Sequence, residues 1–126
     1  MDIKQLNSNA LAYIGDAVYE TYIRKHILGE GNPNVDYLQK TAVNFVKASR
    51  QALALKEMMN GFLTEDEVTI AKRARNHKTT SKPKNADPVD YKYATAFEAL
   101  IGYLHLEGNE ERVTEIINKA IEILEK

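Results

Sequence analysis

An all-α fold is predicted for this chain by three features of its sequence. Apolar residues recur at spacings of three and four along most of its length, and no strand-like alternation lasts for more than a few residues. The segments so defined are bounded by Gly, Pro, Asn and Thr at capping and turn positions. The 126 residues fit one domain spanning 1–126, and a 44% hydrophobic content is enough for a packed core.

The elements follow in order. Ser8 is the expected N-cap of a first helix in which Ala10, Leu11, Ile14, Val18 and Tyr22 recur at helical spacing. "GEGNPN" at 29–34 breaks it. Residues 35–60 are expected to be helical, with Leu38, Ala42, Phe45, Val46, Leu53 and Leu55 as the apolar set, ending at Gly61. Thr64, with Glu67 three residues later, is a capping box that starts a helix running to about Asn76. Residues 77–89, which hold Pro83 and Pro88, read as a loop. A helix resumes from Asp90 to Leu106, "EGN" at 107–109 turns the chain, and a last amphipathic helix carries Val113, Ile116, Ile117, Ala120, Ile121 and Leu124 on one face.

Composition narrows the function classes. The absence of Cys excludes disulfides and thiolate metal sites. "MDIKQLNSNALAY" lacks the basic-then-apolar layout of a signal peptide, and no apolar run approaches the roughly 20 residues of a membrane span. The expected location is the cytoplasm, with no membrane partner. The net charge of −1 conceals an uneven distribution: "KRARNHKTTSKPK" at 72–84 holds Lys72, Arg73, Arg75, His77, Lys78, Lys82 and Lys84 without one acid. Two readings fit this segment. It is either a solvated charged loop, or a phosphate-binding surface in which Asn76, Thr79, Thr80 and Ser81 supply short hydrogen-bonding groups between the cations.

Two carboxylates stand inside the most apolar segments, Asp16 in "LAYIGDAVYETYI" and Glu98 in "TAFEALIGYLHL". Burying an unpaired carboxylate is costly. Each has a bland explanation: Asp16 on a solvent stripe with Ala12 and Glu20 or bonded to a neighbouring helix, Glu98 paired with a cation or capping a helix. Each also lies beside a helical glycine, Gly15 and Gly102, which allows close backbone approach. Two helices crossing there would bring the acids together, where like charges repel unless a cation holds them. Oxygen ligands without Cys suit Mg²⁺ or Mn²⁺, and such an ion beside a basic segment is equipment for phosphodiester hydrolysis.

These motifs carry a resemblance. "LAYIGDAVYE" resembles the signature helix of the ribonuclease III family, and "TAFEALIGYLHLEG" resembles its second acidic helix. "LNSNALAYIGDA" and "RARNHKTTSKPKNAD" followed by "YKYATAFEALIGYL" are closer still to the Mini-ribonuclease III branch, which consists of the nuclease domain without a double-stranded-RNA-binding domain. The resemblance covers nearly the whole chain. It implies a ribonuclease III-like helical bundle, homodimeric, that cuts double-stranded RNA with Mg²⁺ (Mn²⁺ substituting) to leave 5′-phosphate and 3′-hydroxyl ends. The usual substrate of the branch is the terminal stem of the 23S ribosomal RNA precursor, and a large-subunit ribosomal protein is a further candidate partner.

Carried over by position, Asp16 and Glu98 match the family's metal-binding catalytic acids. Family acids four and seven residues before the signature aspartate are replaced here by Ala12 and Asn9, and one three residues before the second-helix glutamate is replaced by Thr95. Asp36 is a loosely aligned further acid. Thr95 and Glu20 are candidates for assisting the two ligands through a water or along the helix face, although Glu20 also reads as a solvent-facing charge. Arg73, Arg75, Asn76, Lys78, Lys82 and Lys84 are the candidate RNA contacts. A dimer would place two equivalent sites across a duplex, one per strand, with Tyr13, Tyr19 and Tyr22 as candidate interface residues or, equally, core. A non-catalytic RNA-binding or ribosome-assembly module of the same fold is the alternative, and a helical interaction protein a third class.

Overall fold

The computed structural model describes residues 1–77 and 87–126. A short 3-10 turn at Ile3–Gln5 leads into α1 (Ser8–Leu28), followed by α2 (Val35–Val46), α3 (Ala48–Met58), α4 (Glu65–Asn76), α5 (Pro88–Leu106) and α6 (Glu110–Leu124). No strand occurs among the described residues, so the all-α expectation holds.

Local chemistry places most boundaries. The Thr64–Glu67 capping box is made in both directions, at 3.1 and 2.9 Å. Asp87 accepts from the backbone N–H groups of Val89 and Asp90, and Pro88 opens α5 where no N–H is needed. Gly61 and Gly108, with φ of +108° and +82°, turn the chain in the left-handed region after α3 and α5. Two expectations are corrected. The cap of α1 is Asn7, whose side chain accepts from Ala10 N–H at 2.8 Å; Ser8 is already helical and buried. The stretch 35–60 is two helices, because Lys47 is extended, with φ −68° and ψ 153°.

That break is stabilised by side chains from elsewhere. The last carbonyls of α2 are the ones a helix leaves unsatisfied. Arg50 donates to Asn44 O at 3.0 Å, Tyr19 to Phe45 O at 2.8 Å and Gln51 to Val46 O at 2.7 Å. Arg50 also reaches Leu124 O at 2.7 Å, tying the end of α6 to the same junction.

α5 is the central element. It packs against α1, α3, α4 and α6, and most extensively against α1. The core around it includes fully buried Tyr19, Ile23, Leu55, Phe97, Leu100, Ile101, Val113 and Ile117, with the Tyr19 and Phe97 rings edge-to-face at 4.9 Å. At one side, Arg112 at the start of α6 grips Glu67 with two hydrogen bonds of 2.8 Å, donates to Phe62 O at 3.1 Å and lies over the Phe62 ring. No helix among the described residues is long and apolar enough to cross a membrane.

Candidate active site

The site is made by a contact that only glycine permits. A Cβ on Gly15 would stand 1.7 Å from Glu98 O, and one on Gly102 would stand 1.9 Å from Leu11 O. Each glycine therefore lets the backbone of the other helix into the space a side chain would fill, and α1 and α5 cross in direct backbone contact. Asp16 follows Gly15, and Glu98 belongs to the residue whose carbonyl Gly15 meets. The crossing brings the two acids together from positions 82 residues apart, which is 98 minus 16.

Their settings differ, and neither is the fully buried acid that the apolar surroundings suggest. Asp16 is exposed and Glu98 is partly buried. α1 turns only part of its circumference to the core, and Asp16 falls on the remainder. Burial, then the charge of Asp16 and a hydrogen bond to it, push the Glu98 carboxyl up to about 8, with Gln51 acting in the opposite direction. The charge of Asp16 opposes ionisation of Glu98, a divalent cation between them would relieve that opposition, and the hard carboxylate oxygens suit Mg²⁺ or Mn²⁺. By that criterion Asp16 and Glu98 fit a metal.

Around the pair, Glu20 is close enough to add to the upward pressure on Glu98, and it accepts from Arg24 at 2.8 Å on the same helix. Thr95 is buried one turn before Glu98, and Ala12 is buried one turn before Asp16. A carboxylate at either position would itself be desolvated, so the uncharged residues match the packing. Asn9 and Asp36 are exposed, Asp36 in the first turn of α2. Among the described residues, the grouping of three ligand-type side chains within 4.8 Å of one another is His26, Glu30 and Glu125. It lies about 15 Å along α1 from Asp16 by helical rise, and there His26 bonds Glu125 at 2.8 Å.

One residue of the site was missed by reading the sequence. Gln51 is buried, and its Nε2 is 3.5 Å from Glu98 Oε2. Its signal was available: an amide in the stripe that α3 buries with Ala52, Ala54, Leu55 and Met58.

The basic residues divide. Arg75 lies over the Tyr93 ring, 5.6 Å from its centroid, and donates to its hydroxyl at 3.4 Å and to Asn76 at 3.1 Å. Lys56 approaches the same ring at 4.7 Å. Arg73 lines a separate cavity of about 590 Å³ with Asp66, Tyr103 and Glu107. The structure thus brings Arg75 and Asn76 together and sets Arg73 on another face of α4. Lys78, Lys82 and Lys84 lie outside the described residues. Of the tyrosines, Tyr19 is fully buried in the core, Tyr22 is half-buried and bonds Thr114 at 2.9 Å, and Tyr13 is 80% exposed.

The Ribonuclease III domain model matches residues 9–109, which contain the whole glycine crossing and both acids. The chain belongs to the ribonuclease III family, within its Mini-ribonuclease III branch. It is 49% identical over 123 residues to the Mini-ribonuclease 3 of Enterococcus faecalis, covering 95% of this chain and 92% of that one. The Mini-ribonuclease 3 of Brevibacillus brevis is 46% identical, over 94% of this chain and 88% of the relative. An X-ray crystal structure of a Fusobacterium nucleatum protein superposes with a TM-score of 0.83 at 40% identity, over 96% of both chains.

Proposed function

We propose that this chain is a metal-dependent endoribonuclease that cleaves double-stranded RNA. The observation that carries the reading is the meeting of Asp16 and Glu98 across the Gly15–Gly102 crossing in a member of this family. Asp16 and Glu98 are the proposed ligands of Mg²⁺, for which Mn²⁺ substitutes. When bound, such an ion supplies Lewis-acid stabilisation of charge on the scissile phosphate. Asp16 presents its carboxylate at the surface, where a phosphate arrives, and Glu98 backs it from a recessed position. Glu20 and Thr95 assist from the adjoining turns of α1 and α5. Hydrolysis adds water at phosphorus and breaks the P–O3′ bond, so the 3′ oxygen leaves as a hydroxyl and the phosphate stays on the 5′ end.

Arg73, Arg75, Asn76, Lys78, Lys82 and Lys84 are the proposed contacts to the duplex, with phosphate charge as the main attraction. Two copies related by a two-fold axis would present one site to each strand, and exposed Tyr13 on α1 is the candidate interface residue. The proposed substrate is the terminal stem of the 23S ribosomal RNA precursor in the cytoplasm, with a large-subunit ribosomal protein as a candidate partner.

The test is incubation of the purified chain with a long RNA duplex in Mg²⁺ or in EDTA. Cleavage only in Mg²⁺ is expected. A mobility shift without cleavage in both conditions would replace the enzyme with a binding module, and neither response would overturn the reading.

A further inference from the structure

Gln51 does more than close the end of α2. Its side chain is 3% exposed, and its amide nitrogen lies 2.7 Å from Val46 O and 3.5 Å from Glu98 Oε2. A primary amide has two N–H donors, and these two acceptors use both. The Val46 carbonyl also fixes its orientation, because the flipped amide would set its own oxygen 2.7 Å from that oxygen. The cost falls on the other end: among the described residues, Gln51 Oε1 is the buried side-chain polar atom left without a hydrogen-bond partner.

An unpartnered buried acceptor weighs against stability, and a native fold keeps one where something else depends on the group. The neighbouring carbonyls of α2 are closed by Arg50 and Tyr19. Of the three donors at this junction, Gln51 is the one that also hydrogen-bonds an acid of the site. We propose that Gln51 is a positioning residue, which ties one oxygen of Glu98 to the end of α2 and so sets the carboxylate toward Asp16 before a cation arrives. This rests on the ribonuclease reading above. Groups that hold a ligating carboxylate set both its direction and its metal affinity, so Gln51 acts through Glu98 and touches no reacting atom.

The test compares the full wild-type chain with Gln51→Met, which keeps the length of the side chain and removes both donors. Calorimetric titration of the RNA-free protein should show half-saturating Mg²⁺ raised about tenfold. The Mg²⁺ dependence of cleavage should move by the same factor, while duplex affinity in EDTA stays within about twofold of wild type. A Gln51→Met protein that melts lower but responds to Mg²⁺ as wild type does would overturn the proposal and leave Gln51 as a cap for Val46. Should that variant fail to fold, the wild type decides. The Gln51 side-chain amide signal in a ¹H–¹⁵N spectrum should shift on Mg²⁺ addition with the midpoint shown by the backbone amides of Asp16 and Glu98, and a stationary signal would overturn the proposal. Wild-type protein that neither binds Mg²⁺ nor cleaves would remove the ribonuclease reading itself. Metal-dependent wild-type cleavage with negative Gln51 results removes only the positioning role.

Discussion

Asp16 and Glu98 are alike in sequence setting and unlike in the fold, one exposed and one recessed. If the pair holds the metal, either charge is indispensable while neither holds the fold together. Asp16→Asn and Glu98→Gln should each abolish cleavage of a long RNA duplex, leave the circular dichroism spectrum unchanged and leave duplex binding in EDTA within about twofold. An Asp16→Asn protein that cuts at the wild-type rate would end the assignment. A trace of Glu98→Gln activity at high Mn²⁺ would be tolerable, since a neutral amide oxygen still ligates weakly.

Between α1 and α5 the fold depends on two hydrogen atoms in place of two methyl groups. Gly15→Ala would drive a Cβ into Glu98 O, so the helices must separate or shift. The expected loss is roughly 3 kcal/mol, read as a fall in melting temperature on the order of 10 °C. Metal-dependent cleavage should fall with it, because the acids move apart. An unchanged melting curve would show that the crossing has slack.

The start of α6 offers a pH test of a different contact. Burial alone would raise the Glu67 carboxyl, but the Arg112 guanidinium and the Thr64 cap outweigh it and hold Glu67 below the usual carboxylate range. An acid whose folded pKa is depressed contributes its stability above the unfolded value, about 4.3 for Glu, and loses it as pH falls through the folded value. Glu67→Gln should therefore melt lower than wild type at pH 7, by roughly 3 kcal/mol because Arg112 is left partly buried without its partner. The gap should narrow steadily below about pH 4. A gap that is constant down to pH 3 would assign the loss to packing rather than charge.

At the scale of the whole molecule, recognition has to come from a modest surface. The candidate duplex contacts Arg73 and Arg75 are divided between two faces of α4, and the ring beside Arg75, Tyr93, is already covered by two cations. Such a surface suits phosphates and 2′-hydroxyls of an A-form duplex better than splayed bases, which need free aromatic faces. On a labelled RNA duplex, unlabelled RNA duplexes of matched and scrambled sequence should compete about equally well. Single-stranded RNA and DNA duplex of the same length should compete at least about tenfold less well. Strong competition by single-stranded RNA would mean that bases are read, and the duplex docking would be wrong.

The sequence by itself determined whatever depends on neighbours along the chain. Helical periodicity, the Thr64–Glu67 box, the glycine turns at Gly61 and Gly108 and the boundaries of α4 and α6 are all local, and they were legible for that reason. So was the acid pair, because each acid stands beside a glycine in an apolar helix and the two motifs together resemble one family. The tertiary structure alone decided what depends on distant partners. Lys47 and Ala48 carry no breaker chemistry; α2 and α3 separate there because Tyr19, Arg50 and Gln51 supply donors to three carbonyls that a continuous helix would have satisfied itself. The same holds for the exposure of Asp16, the separation of Arg73 from Arg75, the burial of Tyr19 and the approach of Gln51 to Glu98. Hydrogen bonds and burial across 26 or 47 residues of chain are properties of the packed bundle, and no periodicity within one segment encodes which residue will face the other.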